Sequence, residues 1–171
     1  MKIYKTNLKG LLIIKSKQFK DSRGLFRELL KESLQKKKFV FSVVSSSKKN
    51  VIRGLHYQAK NSQGKFISVV KGKIFDVALD LRKNSKTYGK HLTVILSDKN
   101  GTSIYIPEGF AHGFAAMDKE NIVVYNCTNY RDKDNEKGII WNDPNLKIKW
   151  PIKKPIISKK DLSNSYFKSI K

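Results

Sequence analysis

Eight short runs rich in β-branched and aromatic residues, separated by turn signals, constrain this chain more than any other feature. They are Leu11 to Ile14, Leu25 to Leu30, Phe39 to Val44, Lys65 to Val70, Ile74 to Leu81, Leu92 to Leu96, Ser103 to Ile106 and Ile122 to Asn126. Each reads as an extended segment. Between them lie Asp21-Ser22-Arg23-Gly24, Lys71-Gly72, Lys99-Asn100-Gly101 and Pro107-Glu108-Gly109, all of them turn chemistry. Lys71-Gly72, set between two β-rich runs, predicts a tight hairpin. Only Lys31 to Lys38 reads as a helix. Strands this closely spaced predict an all-β sandwich or barrel, formed by residues 1–171 as one domain. The last third is punctuated by Pro144, Pro151 and Pro155. It is expected to be an arm lying on the barrel, with Ser163 to Lys171 fraying.

Composition removes several classes of function. At 39% hydrophobic and 11% aromatic residues the chain is too apolar for disorder. No apolar run is long enough to span a membrane, and Met1-Lys2-Ile3-Tyr4-Lys5 has no signal-peptide core behind it. Cys127 stands alone, which excludes a disulfide framework and a cysteine metal cluster. A cytoplasmic setting is the simplest expectation. The net charge of +22 suggests a polyanion partner, yet only five of the 36 basic residues are arginine. Phosphate readers favour the bidentate guanidinium fork, whereas these lysines are scattered over the whole chain. A nucleic-acid-binding barrel would also cluster aromatics on a basic face, and the sequence shows no such cluster. The charge is therefore read as a solvated surface that steers a small anionic substrate inward, with no nucleic acid and no membrane as partner.

Two of the three histidines fall in Gly-marked stretches, Arg53-Gly54-Leu55-His56-Tyr57-Gln58 and Pro107-Glu108-Gly109-Phe110-Ala111-His112-Gly113-Phe114. Imidazole titrates near neutral pH, as a proton-abstracting base must. The pattern Pro107-x-Gly109-x-x-His112, with Gly101 upstream, resembles the second motif of the cupins, small double-stranded β-helices of the jelly-roll type. A metal-binding cupin would also carry a His-x-His pair and a Glu, but Tyr57 and Gln58 follow His56 and His91 lies in a separate run. A metal-free pocket is expected. In Ile74 to Leu81, alternation sets Phe75, Val77, Leu79 and Leu81 on one face and Asp76, Ala78 and Asp80 on the other. Two carboxylates on an inward face would be costly unless paired, so the residues leave open whether that face meets solvent or a site.

A longer set of blocks resembles one family. Phe19-x-Asp21-x-Arg23-Gly24-x-Phe26-x-Glu28, Arg53 to Gln58, Gln63-Gly64-Lys65, Phe75 to Arg82, Ile106 to Phe114, Trp141-Asn142-Asp143-Pro144, Leu146-x-Ile148-x-Trp150-Pro151 and Ser158-Lys159-Lys160-Asp161 are similar, in order and at family spacing, to the dTDP-4-dehydrorhamnose 3,5-epimerases. The resemblance implies a homodimeric cupin that epimerises 4-keto nucleotide sugars without metal or cofactor, in the making of a bacterial surface polysaccharide such as capsule or lipopolysaccharide. It implies His56 as the base, Asp161 as the carboxylate that orients it, Tyr125 as the proton donor and Lys65 as the cation near O4. Arg23 and Arg53 would hold the nucleotide diphosphate, and Glu28, Glu136 and Lys160 match further binding positions. His112 would help bind the sugar or phosphate near O4, and Asp76 matches a carboxylate close to the catalytic His. Strict alternation sets Arg53 and His56 on opposite faces, so either the strand bulges or Arg53 serves a dimer interface.

The resemblance breaks on one strand. Where the family carries a Gln and an Asn that hold the nucleotide end, this chain has Phe41 and Val43. Unpaired buried polar edges cost about 1–3 kcal/mol each. The expectation is another nucleotide, GDP or CDP, or another sugar such as a 4-keto heptose. Two rival functions remain: a sugar 3,4-ketoisomerase, which resembles Arg-Gly-x-His-Ala-His and so lacks support from Tyr57-Gln58, and a non-catalytic sugar-nucleotide-binding cupin.

Overall fold

The structure, a computed structural model, describes residues 1–31 and 38–170. Most of the helix expected over Lys31 to Lys38 lies outside the described residues. Thirteen strands are described: β1 (Lys2–Lys5), β2 (Leu12–Lys15), β3 (Gln18–Asp21), β4 (Gly24–Arg27), β5 (Phe41–Lys48), β6 (Ile52–Gln58), β7 (Lys65–Lys71), β8 (Lys73–Asp80), β9 (His91–Ser97), β10 (Thr102–Ile106), β11 (Phe110–Ala116), β12 (Glu120–Cys127) and β13 (Glu136–Gly138). A one-turn helix, α1 (Lys159–Leu162), and a 3-10 turn at Phe167–Ser169 follow. One antiparallel sheet runs β1-β2-β10-β7-β12-β5 and a second runs β13-β6-β11-β8-β9, with β3 and β4 forming a separate hairpin. This is the expected all-β jelly roll.

The expected hairpin at Lys71-Gly72 does not form. β7 and β8 belong to different sheets, so Gly72 carries the chain from one layer into the other. Its φ of +82° suits glycine, and a Cβ there would collide with the Glu120 carbonyl oxygen. Asp98 fastens the corner by accepting from the Gly72 N–H at 3.0 Å.

Between the layers lies a core of Leu8, Leu11, Ile67, Val69, Ile104, Phe110, Phe114 and Val123, among others. Burying a side chain of this kind stabilises by about 1.5–3 kcal/mol. The outer face of the second sheet is apolar too. Val77 and Leu79 are buried there against Ile139 and Leu146, with Ile148, Trp150 and Phe167 packed on the same cluster. The C-terminal third is thus the expected arm, but its end is not frayed through residue 170. The Phe167 N–H donates to Asp143 Oδ2 at 2.6 Å, and the Phe167 ring meets Tyr88 at 5.4 Å between centroids.

Asp76 and Asp80 are both fully buried, which removes the solvent-facing reading of their side of β8. Asp80 accepts from Arg82 Nη2 at 2.7 Å, Ser85 Oγ at 2.7 Å and Thr87 Oγ1 at 2.6 Å. Burial alone would raise its pKa, but these bonds hold it well below the usual carboxylate range. A folded-state pKa depressed in this way stabilises above the unfolded value near 4, and the stabilisation is lost as pH falls through the folded value. Asp80→Asn should cost about 2–3 kcal/mol at neutral pH and flatten the acid limb of the stability profile, both readable by denaturant titration across pH.

Candidate active site

The chain's chemistry converges on a cavity of about 350 Å³ between the two sheets, lined by Phe41, Val43, Ser45, Arg53, His56, Lys65, His112, Tyr125, Arg131 and Glu136, among others. His56 comes from β6 in one sheet, and Tyr125 and Lys65 come from β12 and β7 in the other.

Arg53 and His56 share this cavity because β6 bulges. Against β11, His112 pairs with His56 but Phe114 pairs with Arg53, so β6 spends three steps where β11 spends two. The extra residue reverses the alternation. It fits because Gly54, at φ +110°, lies against Gly113: a Cβ on Gly54 would sit 2.7 Å from Gly113 Cα. Of the two alternatives open from the sequence, the bulge is what the structure contains.

His56 Nε2 and Asp161 Oδ1 are 2.7 Å apart, and the Gly54 N–H donates to the other carboxylate oxygen at 3.1 Å. With Nε2 given to the carboxylate, Nδ1 is the ring nitrogen left to take a proton. Asp161 itself is delivered by α1, where Ser158 Oγ caps the helix by accepting from the Asp161 N–H at 3.0 Å. Burial works to raise the Asp161 pKa, but the hydrogen bond and charge of His56 and the Gly54 N–H outweigh it and hold the carboxyl below its usual range. A second dyad stands close by. His112 Nε2 and Asp76 Oδ2 are 2.7 Å apart and both residues are buried, while Asp76 Oδ1 has no hydrogen-bond partner among the described residues.

The Tyr125 ring meets His112 edge-on at 6.0 Å, and burial pushes its phenol far above the ordinary value near 10. Desolvation lowers the Lys65 pKa, and its ammonium makes no hydrogen bond or ion pair among the described residues. At the rim, Glu136 accepts from Arg131 Nε at 2.6 Å and from Lys160 Nζ at 2.6 Å, which hold its carboxyl down at about 2. Among the described residues no group of three or more His, Cys, Asp or Glu side chains could hold a metal ion.

His56, Tyr125, Asp161, Lys65, Arg53, His112, Asp76, Glu136 and Lys160 therefore lie at or directly against one cavity. Arg23 and Glu28 do not join them within the chain. Arg23 is exposed on the β3–β4 hairpin, bonded to Asp21, and Glu28 pairs with Lys31 at 3.1 Å. Ser45 and Arg131 are cavity residues that the motif blocks missed. Ser45 was findable by its phase with Phe41 and Val43, and Arg131 as one of only five arginines. Phe41 and Val43 do line the cavity, but the register sets them beside catalytic candidates: Val43 pairs with Tyr125, and Phe41 pairs with Cys127, whose other neighbour is Lys65. A larger space of about 650 Å³ lies under the C-terminal arm, lined by Tyr57, Lys83, Tyr88, Lys137 and Asn164, among others, without an imidazole or carboxylate.

Comparison with known proteins gives this geometry its family. Residues 5–169 match the family model described as dTDP-4-dehydrorhamnose 3,5-epimerase. The chain belongs to the dTDP-4-dehydrorhamnose 3,5-epimerase family. A family relative from Methanothermobacter thermautotrophicus is 46% identical over 165 residues, covering 92% of this chain and 89% of that protein. Another, from Neisseria gonorrhoeae, is 44% identical over 95% of this chain, which spans about half of its length (52%). Among solved structures of such epimerases, the dTDP-6-deoxy-D-glucose-3,5-epimerase of Legionella pneumophila, in complex with dTDP-4-keto-L-rhamnose, superposes with a TM-score of 0.95 at 39% identity, over 99% of this chain and 94% of that one.

Proposed function

We propose that this chain is an epimerase that inverts C3, C5 or both in a nucleotide-linked 4-keto-6-deoxy sugar. One observation carries the reading: the His56–Asp161 dyad and the Tyr125 phenol reach a single cavity from two opposed sheets. Inversion requires a proton to leave one face of a carbon and another to arrive on the opposite face. A ketone at C4 acidifies the neighbouring C–H bonds. His56 takes the proton, and Asp161 stabilises the imidazolium that results. The electron pair moves onto O4 as an enolate, which the buried ammonium of Lys65 is suited to meet. Tyr125 then returns a proton to carbon. His112, fixed by Asp76, helps hold the sugar near O4, and Arg53, Glu136 and Lys160 serve the diphosphate end.

For the nucleotide, dTDP is favoured. The relatives carry dTDP in their names, and Phe41 and Val43, the reason to expect GDP or CDP, are the register partners of Cys127 and Tyr125. The reading includes a cytoplasmic homodimer. The β3–β4 hairpin exposes Phe19, Leu25 and Phe26 alongside Arg23, an apolar and cationic surface suited to a second copy's cavity. Neither rival is favoured: Tyr57-Gln58 lacks the second histidine of the ketoisomerases, and a mere binder has no use for an oriented base opposite an acid.

The test is incubation in D₂O with the dTDP-, GDP- and CDP-linked 4-keto-6-deoxy sugars, read by mass and NMR. Label at C3 or C5 with inversion is expected with the dTDP sugar, and no label with any of the three defeats the reading. Lys65→Met should lower kcat by about 10²–10³-fold. Because desolvation lowers the Lys65 pKa, its charge is lost early as pH rises. The alkaline fall in wild-type rate should therefore precede ionisation of Tyr125, which burial delays.

A further inference from the structure

The Tyr125 hydroxyl has one hydrogen-bond partner among the described residues, the Ser45 hydroxyl at 3.4 Å. Hydrogen bonds of this length are common in unliganded sites and shorten when substrate closes the cavity. Apart from Lys65, whose ammonium the proposed mechanism uses at O4, the described groups around the phenol offer little that could deliver a proton. Phe41 and Val43, which share Ser45's face of β5, are apolar, and the His112 ring lies roughly perpendicular to the phenol's with its Nε2 engaged by Asp76. Arg53 is turned to Ser47 Oγ at 2.9 Å and to the Ser46 carbonyl at 3.1 Å. Ser45 is half-buried, and β5 is the edge strand of its sheet, with Ser42, Val43, Val44 and Ser46 exposed around it. It is a polar link between the donor and the solvent side of β5.

A reaction that takes its second proton from a phenol needs such a link. Each inversion forms a C–H bond with the Tyr125 proton and leaves a phenolate that burial keeps from bulk water, where an unpaired charge is costly. A hydroxyl can donate one hydrogen bond and accept two. We propose that Ser45 is a positioning residue for Tyr125 that holds its hydroxyl toward the substrate and returns a proton to it after each turnover. The phenolate takes the Ser45 hydroxyl proton while Ser45 takes one from water. The hydroxide left behind is neutralised by the proton that the His56 imidazolium releases, so the cycle closes with no net change. The proposal rests on the epimerase reading.

Ser45→Ala, Ser45→Thr and the unaltered protein are compared in D₂O on the dTDP-linked 4-keto-6-deoxy sugar. Label entering the unreacted substrate and the rate of inversion are followed together. Ser45→Ala should slow inversion about tenfold, the scale of one hydrogen bond. It should raise the ratio of exchange to inversion and leave KM unchanged, because abstraction by His56 proceeds while the return step lags. Ser45→Thr should restore both quantities. An unchanged ratio in Ser45→Ala overturns the proposal, whether inversion is unaffected or falls in step with exchange. Failure of Ser45→Thr to restore the ratio overturns it as well. Absence of label with the unaltered protein overturns the epimerase reading, and Ser45's role with it.

Discussion

His56→Ala is expected to lower kcat by about 10²–10⁴-fold and to abolish deuterium uptake at both C3 and C5. Among the described residues no other group in the cavity is placed to substitute. The second imidazole, His112, is buried and bonded to Asp76, and both Asp161 oxygens are occupied, by His56 and by the Gly54 N–H. The fold should tolerate the change, since the His56 side chain is 32% exposed and belongs to none of the apolar clusters. KM should therefore move little and the melting temperature should fall only by what Asp161 loses with its partner, while turnover collapses. A variant that still takes up label at either carbon would remove His56 from the base role.

Tyr125→Phe should separate two steps that the wild type couples. It removes one oxygen and keeps the ring, so the edge-on contact with His112 at 6.0 Å survives. His56 and Lys65 are untouched, and the enolate still forms. Exchange with solvent on the face of His56 should continue, whereas inversion should fall by about 10²–10⁴-fold for want of an acid on the opposite face. NMR of the recovered sugar in D₂O reads both quantities in one sample. Equal loss of exchange and inversion would mean that Tyr125 acts before the carbanion forms, and the two-face mechanism would fail.

Much of the fold could be read from local pattern, and its errors have identifiable causes. Runs of β-branched and aromatic residues bounded by turn signals located β7 to β10 and β12 within a residue or two. Lys71-Gly72 misled because a positive-φ glycine between β-rich runs looks the same whether the chain doubles back or crosses to another layer. That choice is made by Glu120, Asn121 and Asp98, distant in sequence. The end of the chain looked loose because its anchors, Asp143 and Tyr88, are also distant. His56, Lys65 and Asp161 were legible because they sit inside ordered motif blocks, and Tyr125 because its strand resembles the family's. The shared face of Arg53 and His56 was not, since a bulge depends on the partner strand. Ser45 escaped notice because a serine on an edge strand is unremarkable until a phenol from the neighbouring strand meets it.

The dyad joins positions 105 residues apart, and its carboxylate rides on a short helix near the far end of the arm. During synthesis the imidazole therefore emerges long before the residue that orients it, and the jelly roll can close while the base is still unaided. On the proposed mechanism, turnover would read out whether the arm has docked. On that mechanism, a protease that clips ahead of Ser158 should abolish turnover and leave the barrel standing.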